Sequence, residues 1–152
     1  MSTNDICFII KTGVKMDCLF CKIIKKEIPS AVIFEDNDTM AFLDIAPVNK
    51  GHVLIVPKVH SDDFISTEDE VIDKVFRTAK KISNAIVKAT GAHGVNISVN
   101  NGAAAGQVIF HLHAHIIPRF EEDGLKPWPK VSYSENEMKE FAEMIKKAIN
   151  EN

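Results

Sequence analysis

No apolar run in this 152-residue sequence approaches the ~20 residues that a membrane-spanning helix needs, so no membrane association is expected. Excess positive charge is missing too. Eighteen Lys and Arg stand against 21 Asp and Glu, a formal net charge of -3, which offers no field for a nucleic-acid backbone. Cysteines number only three, and an odd count argues against a disulfide framework. The apolar patch from Ile6 to Ile10 lacks a charged start and a small-residue cleavage site, so a cytoplasmic protein is expected. Neither a repeat nor a low-complexity tract divides the chain. With 45% hydrophobic and 26% charged residues, its length suits one globular domain with a real core.

What is present is concentrated. Half of the six histidines fall at alternate positions within Gln107-Val-Ile-Phe-His-Leu-His-Ala-His-Ile-Ile-Pro-Arg119. Read as a strand, this run puts His111, His113 and His115 on one face, with Phe110, Leu112, Ala114 and Ile116 on a buried opposite face. At about 3.3 Å per residue, the outer two Cα atoms lie roughly 13 Å apart. Metal–nitrogen bonds of about 2 Å make convergence of all three on one ion difficult. The row is left with two of its members on a metal, with phosphate chemistry, or with no role.

Cys18-Leu-Phe-Cys21 offers two thiolates on a tight turn. A structural zinc needs two more ligands, and His60 is one candidate. His111, at the end of the row nearest the turn, is the better choice for the fourth, because it leaves His113 and His115 for chemistry. A redox role, with Cys18 as an activated thiolate at a helix start, is the alternative. Cys7 reads as a small hydrophobe. Met16 offers a second possible start, so residues 1–16 are treated as an extension of unknown role.

Periodicity supplies the framework. A short helix is expected over residues 20–26, and strands over 31–34, 39–43, 52–57 and 94–99. Thr67-x-x-Glu70 reads as a capping box opening a long helix through Ile72, Val75, Phe76, Ala79, Ile82 and Ile86, which Gly91 ends. Ser134-x-x-Glu137 opens a last helix with Met138, Phe141, Ala142, Ile145 and Ile149 on one face. Hairpins with segregated helices give an α+β domain with a mainly antiparallel sheet.

His111-Leu-His113-Ala-His115-Ile-Ile matches the signature of the histidine triad (HIT) superfamily, alternating histidine and apolar residues. The similarity extends through Phe20-Cys-Lys-Ile-Ile24, Lys26-Glu-Ile-Pro29, Phe34-Glu-Asp36, Ala41-Phe-Leu-Asp-Ile45, Gly51-His-Val-Leu-Ile-Val-Pro57, Asn100-x-Gly102, Ala105-Gly-Gln107 and Pro118-Arg119. The chain resembles the Hint-type purine nucleoside phosphoramidases of that superfamily. This implies a HIT domain over residues 17–130 and a homodimer with one continuous sheet; the similarity leaves out the C-terminal helix over 131–152, which is expected to pack on the domain.

The resemblance also implies an activity: hydrolysis of adenosine 5′-phosphoramidates through a covalent histidine–AMP intermediate. Dinucleoside polyphosphate hydrolysis is the enzymatic alternative, and a nucleotide-binding interaction module with incidental activity is the third. It implies a structural zinc on Cys18, Cys21, His60 and His111, the set already reached by counting ligands. His113 becomes the nucleophile, and His115 the donor to a phosphate oxygen or leaving group. A purine nucleotide such as AMP would meet Asn100 and the Gly106-Gln107 backbone at its phosphate, and Asp44 at its ribose. Leu19, Phe20, Phe42 and Ile45 would form the base slot, with His52 at the rim. One departure stands out: Val108 follows Gln107 where many phosphoramidases carry serine. Trp128 matches a tryptophan that reaches the partner subunit in that branch, although here a helix follows it.

Overall fold

The computed structural model describes residues 18–151. Cys7, Met16 and the rest of the N-terminal extension lie outside the described residues. Within Cys18–Glu122 the order is α1 (Leu19–Ile24), β1 (Val32–Glu35), β2 (Thr39–Leu43), β3 (Val53–Pro57), α2 (Asp69–Thr90), β4 (Gly94–Val99) and β5 (Ala114–Arg119). The five strands form one sheet in the order β1-β2-β3-β5-β4, and every pairing is antiparallel. The α+β architecture with a mainly antiparallel sheet therefore stands. No helix among the described residues is long and apolar enough to cross a membrane.

Alternation along the strands divides the core in two. Ala41, Val53, Ile55, Ala114 and Ile116 face α2, where Val75, Ala79, Ile82 and Ile86 meet them at helical spacing. Met40, Phe42, Leu54 and Val56 face the other way and meet Phe20 and Ile23 of α1. The central strand β3 is thus buried on both sides along its whole length. Fully burying an aliphatic side chain contributes about 1.5–3 kcal/mol, so these two layers dominate the stability.

The long helix differs from expectation at its start. Thr67 does not cap it: its hydroxyl is spent on the Asp63 carbonyl and on Ser61 Oγ. Glu68 occupies the cap position without a side-chain cap bond, and Asp69 and Glu70 place negative charge at the first turn. Gly91 closes the helix in the left-handed region, as the pattern predicts.

The histidine run differs more. Only residues 114–119 are strand, so His111 and His113 precede β5 and only His115 lies in it. The Leu112 amide bonds the Ser61 carbonyl at 2.7 Å and the His111 amide bonds the Ile109 carbonyl at 3.0 Å, bending the chain before the ladder begins. Leu112, Ala114 and Ile116 are buried as expected, but Phe110 is half exposed.

Residues 123–151 form a second unit, which contains α3 (Glu137–Asn150). Glu137 Oε2 accepts from the Ser134 amide at 2.7 Å, one half of the expected box.

Candidate functional site

The three imidazoles, expected to take three roles, occupy three environments. His111 is fully buried and its Nε2 donates to the Pro57 carbonyl at 2.9 Å. That bond leaves a lone pair on Nδ1, which faces Cys18 Sγ at 3.4 Å, Cys21 Sγ at 3.6 Å and His60 Nδ1 at 3.2 Å. His60 is oriented alike: Nε2 donates to Asp62 Oδ1 at 3.0 Å, and Nδ1 lies 3.3 Å from Cys21 Sγ. Two lone pairs facing each other at 3.2 Å repel unless a cation lies between them. Burial, then the neighbouring Cys18, pushes the Cys21 thiol up to about 12, and burial pushes His111 down to about 4. These four donors suit a tetrahedral metal ion, and all four ligand atoms lie within 4.8 Å of one another.

His113 follows. Its Nδ1 donates to the His111 carbonyl at 2.7 Å, so the lone pair sits on Nε2. Burial lowers its pKa, which keeps the ring neutral near pH 7. Phe20 packs edge-on against it with ring centroids 5.1 Å apart. His115 sits opposite Leu54 on the α1 side of the sheet, its ring 4.9 Å from that of His113. Its Nδ1 pairs with His52 Nε2 at 3.0 Å, while its Nε2 is buried with no hydrogen-bond partner among the described residues. An unmet buried polar atom costs about 1–3 kcal/mol.

The remaining predicted residues fall into groups. Asp44 joins His52 and His115: Oδ2 is 3.5 Å from His52 Nδ1, and Oδ1 accepts the Ala46 amide at 2.8 Å. His52, expected at a rim, is only 3% exposed. Asn100 Nδ2 donates to the Gly106 carbonyl at 3.3 Å. Gly106 has φ +88°, and a Cβ there would stand 3.5 Å from Asn100 Nδ2. The Gly106 and Gln107 amides are already bonded to the Ala103 and Gly102 carbonyls, at 3.0 and 3.1 Å. Of the expected base slot, Phe20 and Phe42 are core residues in edge-to-face contact, while Ile45 is fully exposed and Leu19 partly so. Asp62, Pro57 and Val48 also shape the site, and none was singled out from sequence. Asp62 lies two residues from His60, and that short spacing in the sequence is the signal that it can orient the ring.

The fold and this centre together define an α+β domain that sets a buried imidazole row beside a two-cysteine, two-histidine cluster. The chain belongs to the HIT family: residues 25–122 match the HIT domain. It is 48% identical over 123 residues to the adenylylsulfatase HINT3 of Arabidopsis thaliana, covering 81% of this chain and 61% of that protein. It is 40% identical over 136 residues to the adenosine 5′-monophosphoramidase hnt1 of Schizosaccharomyces pombe, covering 88% and 99%. A zinc-bound histidine triad family protein from Mycobacterium smegmatis superposes with a TM-score of 0.71 at 32% identity, covering 88% of this chain and 98% of that one.

Proposed function

We propose that this chain hydrolyses adenosine 5′-phosphoramidates, with His113 Nε2 attacking the α-phosphorus. The observation that carries the reading is the 2.7 Å bond from His113 Nδ1 to the His111 carbonyl, which leaves a neutral nitrogen nucleophile beside an unpaired donor on His115. Attack expels the amine and leaves a histidine–AMP intermediate, and water then cleaves its P–N bond. His115 and Asn100 serve the phosphate, Asp44 Oδ2 the ribose hydroxyls, and Leu19 and Ile45 the exposed side of the base slot. The name of the Schizosaccharomyces pombe relative supports the substrate class. The decisive test is His113→Ala assayed with adenosine 5′-phosphoramidate. Turnover is expected to vanish while AMP still binds, and a fully active variant refutes the nucleophile.

A structural zinc belongs to the same reading. Zinc–nitrogen bonds of about 2.0–2.1 Å and zinc–sulfur bonds of about 2.3 Å imply tetrahedral edges near 3.3 Å for N···N and 3.5 Å for S···N. The separations here are 3.2 Å for N···N and 3.3, 3.4 and 3.6 Å for S···N. Bound there, zinc would neutralise the thiolates and pin α1 to the segment before β5.

The reading includes a homodimer. β4 is an outer strand of the sheet, and beside it Phe64, Phe76, Ile97 and Val99 line an apolar groove. A second copy pairing along β4 would cover this groove and continue the sheet.

A second substrate is favoured by Val108, which is 82% exposed and has no hydroxyl with which to assist an amine leaving group. Adenylyl sulfate, whose leaving group needs no proton, fits such a site, and the name of the Arabidopsis relative supports it.

A further inference from the structure

We infer that His52 is a positioning residue: it holds His115 in the tautomer with its proton on Nε2, so that an imidazole N–H meets a phosphoryl oxygen of the nucleotide. The inference rests on the phosphoryl-transfer reading above and adds a residue whose effect passes through its neighbour.

The Val48 amide can only donate, and it meets His52 Nδ1 at 3.2 Å. A neutral His52 therefore carries its proton on Nε2. That nitrogen lies 3.0 Å from His115 Nδ1, which must accept. His115 in turn carries its proton on Nε2, the buried atom with no partner among the described residues. An anionic oxygen is the acceptor that such a donor best accommodates.

The opposite arrangement has a rival partner in Asp44. A proton on His52 Nδ1 would have Asp44 Oδ2 as its acceptor, but that oxygen is 3.5 Å away, beyond ordinary hydrogen-bond range. His52 Nε2 would then accept from His115 Nδ1, and His115 would turn a lone pair toward the phosphate. The Val48 amide decides against it. Burial lowers the pKa of His52 and, with His113 and His52 alongside, brings His115 to about 4. Both rings are thus neutral near pH 7, and tautomer rather than charge is the property being set.

The Asp44, His52 and His115 ligand atoms also lie within 4.8 Å of one another. Here a proton bridges the two imidazoles, whereas between His60 and His111 both protons point outward. Hydrogen bonding therefore accounts for this group without an ion.

Nitrogen-15 NMR of the imidazoles in the full chain, with and without AMP, tests the inference directly. His115 is expected as the Nε2–H form in both states, with its Nε2 signal shifting when AMP binds. An Nδ1–H form overturns the inference, as does an Nε2 signal indifferent to bound AMP. Two variants extend the test. His52→Phe keeps a ring and removes the donor, while His52→Gln keeps an amide N–H near the Nε2 position. With adenosine 5′-phosphoramidate, kcat of His52→Phe is expected to fall about 10- to 100-fold with KM within about threefold, less than removing an oxyanion donor outright. His52→Gln is expected to recover most of the loss. Equal losses in both folded variants, or kcat of His52→Phe within about twofold of wild type, overturn the assignment. If wild type turns over no phosphoramidate, the functional reading fails, and the NMR response to AMP still decides the tautomer.

Discussion

Gln107 Nε2 donates to the Asp62 carbonyl at 2.7 Å, tying the loop that carries His60 to the loop that carries Asn100 and Gly106. Its Oε1 accepts the Gly102 amide at 2.8 Å, and Nε2 also reaches the Ile109 carbonyl at 3.2 Å. The side chain is 4% exposed and spends its polar atoms on backbone. It is a strut between the His60 loop and the Asn100–Gly106 loop, a role distinct from touching substrate.

Replacing that strut has a defined consequence. Gln107→Leu leaves the Asp62 carbonyl and the Gly102 amide without this partner, at about 1–3 kcal/mol for each one that water does not reach. A lower melting temperature and a KM that rises more than kcat falls are expected. Steady-state kinetics and calorimetry measure both, and an unchanged KM would remove the strut role.

Metal content is the second prediction. Purified protein should hold near-stoichiometric zinc, with Cys18→Ser losing it and melting at lower temperature, because the His60 and His111 lone pairs are then left facing each other. Elemental analysis with a parallel melting curve decides it. A metal-free wild type that melts no lower than the zinc-loaded protein would contradict it.

Stability should fall with acid before the carboxylates titrate. His115 has an ordinary value of 6.5 that burial lowers to about 4, so the unfolded chain takes up its proton first. This contribution is fully present above pH 6.5, is lost as pH falls through that window, and levels off near 4. At about 1.4 kcal/mol per pKa unit, the loss is of order 3 kcal/mol, with His52 and His113 adding in the same direction. Urea denaturation at intervals between pH 7 and 4.5 reads it. A flat profile would show that these rings are not held neutral.

Assembly can be tested at β4. Ile97 is 46% exposed and borders the groove with Phe64 and Phe76. Ile97→Asp should convert a dimer to a monomer in sedimentation equilibrium, since a buried unpaired carboxylate is costly. A wild type that sediments as a monomer rules out the proposed pairing.

Val108→Ser probes the leaving group. A hydroxyl after Gln107 should raise phosphoramidate turnover relative to adenylyl sulfate by roughly tenfold, less than the ~100-fold or more of a full general acid. No change in that ratio would mean that position 108 does not reach the leaving group.

Much of the frame was legible along the chain. The continuous apolar runs of β2 and β3, the 3.6-residue spacing of α2 and its Gly91 stop each follow from local physics. Cys18-x-x-Cys21 and the histidine row announced chemistry by residue type and spacing alone. Thr67 shows where local reading fails: a capping pattern is only an offer, and the Asp63 carbonyl and Ser61 took the hydroxyl instead.

The sequence by itself therefore determined the family, the order of elements and the inventory of reactive side chains, because these depend on short-range periodicity and residue chemistry. Only the tertiary structure supplied the partners that orient each of the three histidines. A Leu112–Ser61 backbone bond bends the run before β5, and the Pro57 carbonyl, the His111 carbonyl and the His52 ring then set which nitrogen of each imidazole holds the proton. Those partners lie between 2 and 63 positions away in the chain, and hydrogen-bond geometry, which no spacing rule encodes, selects them.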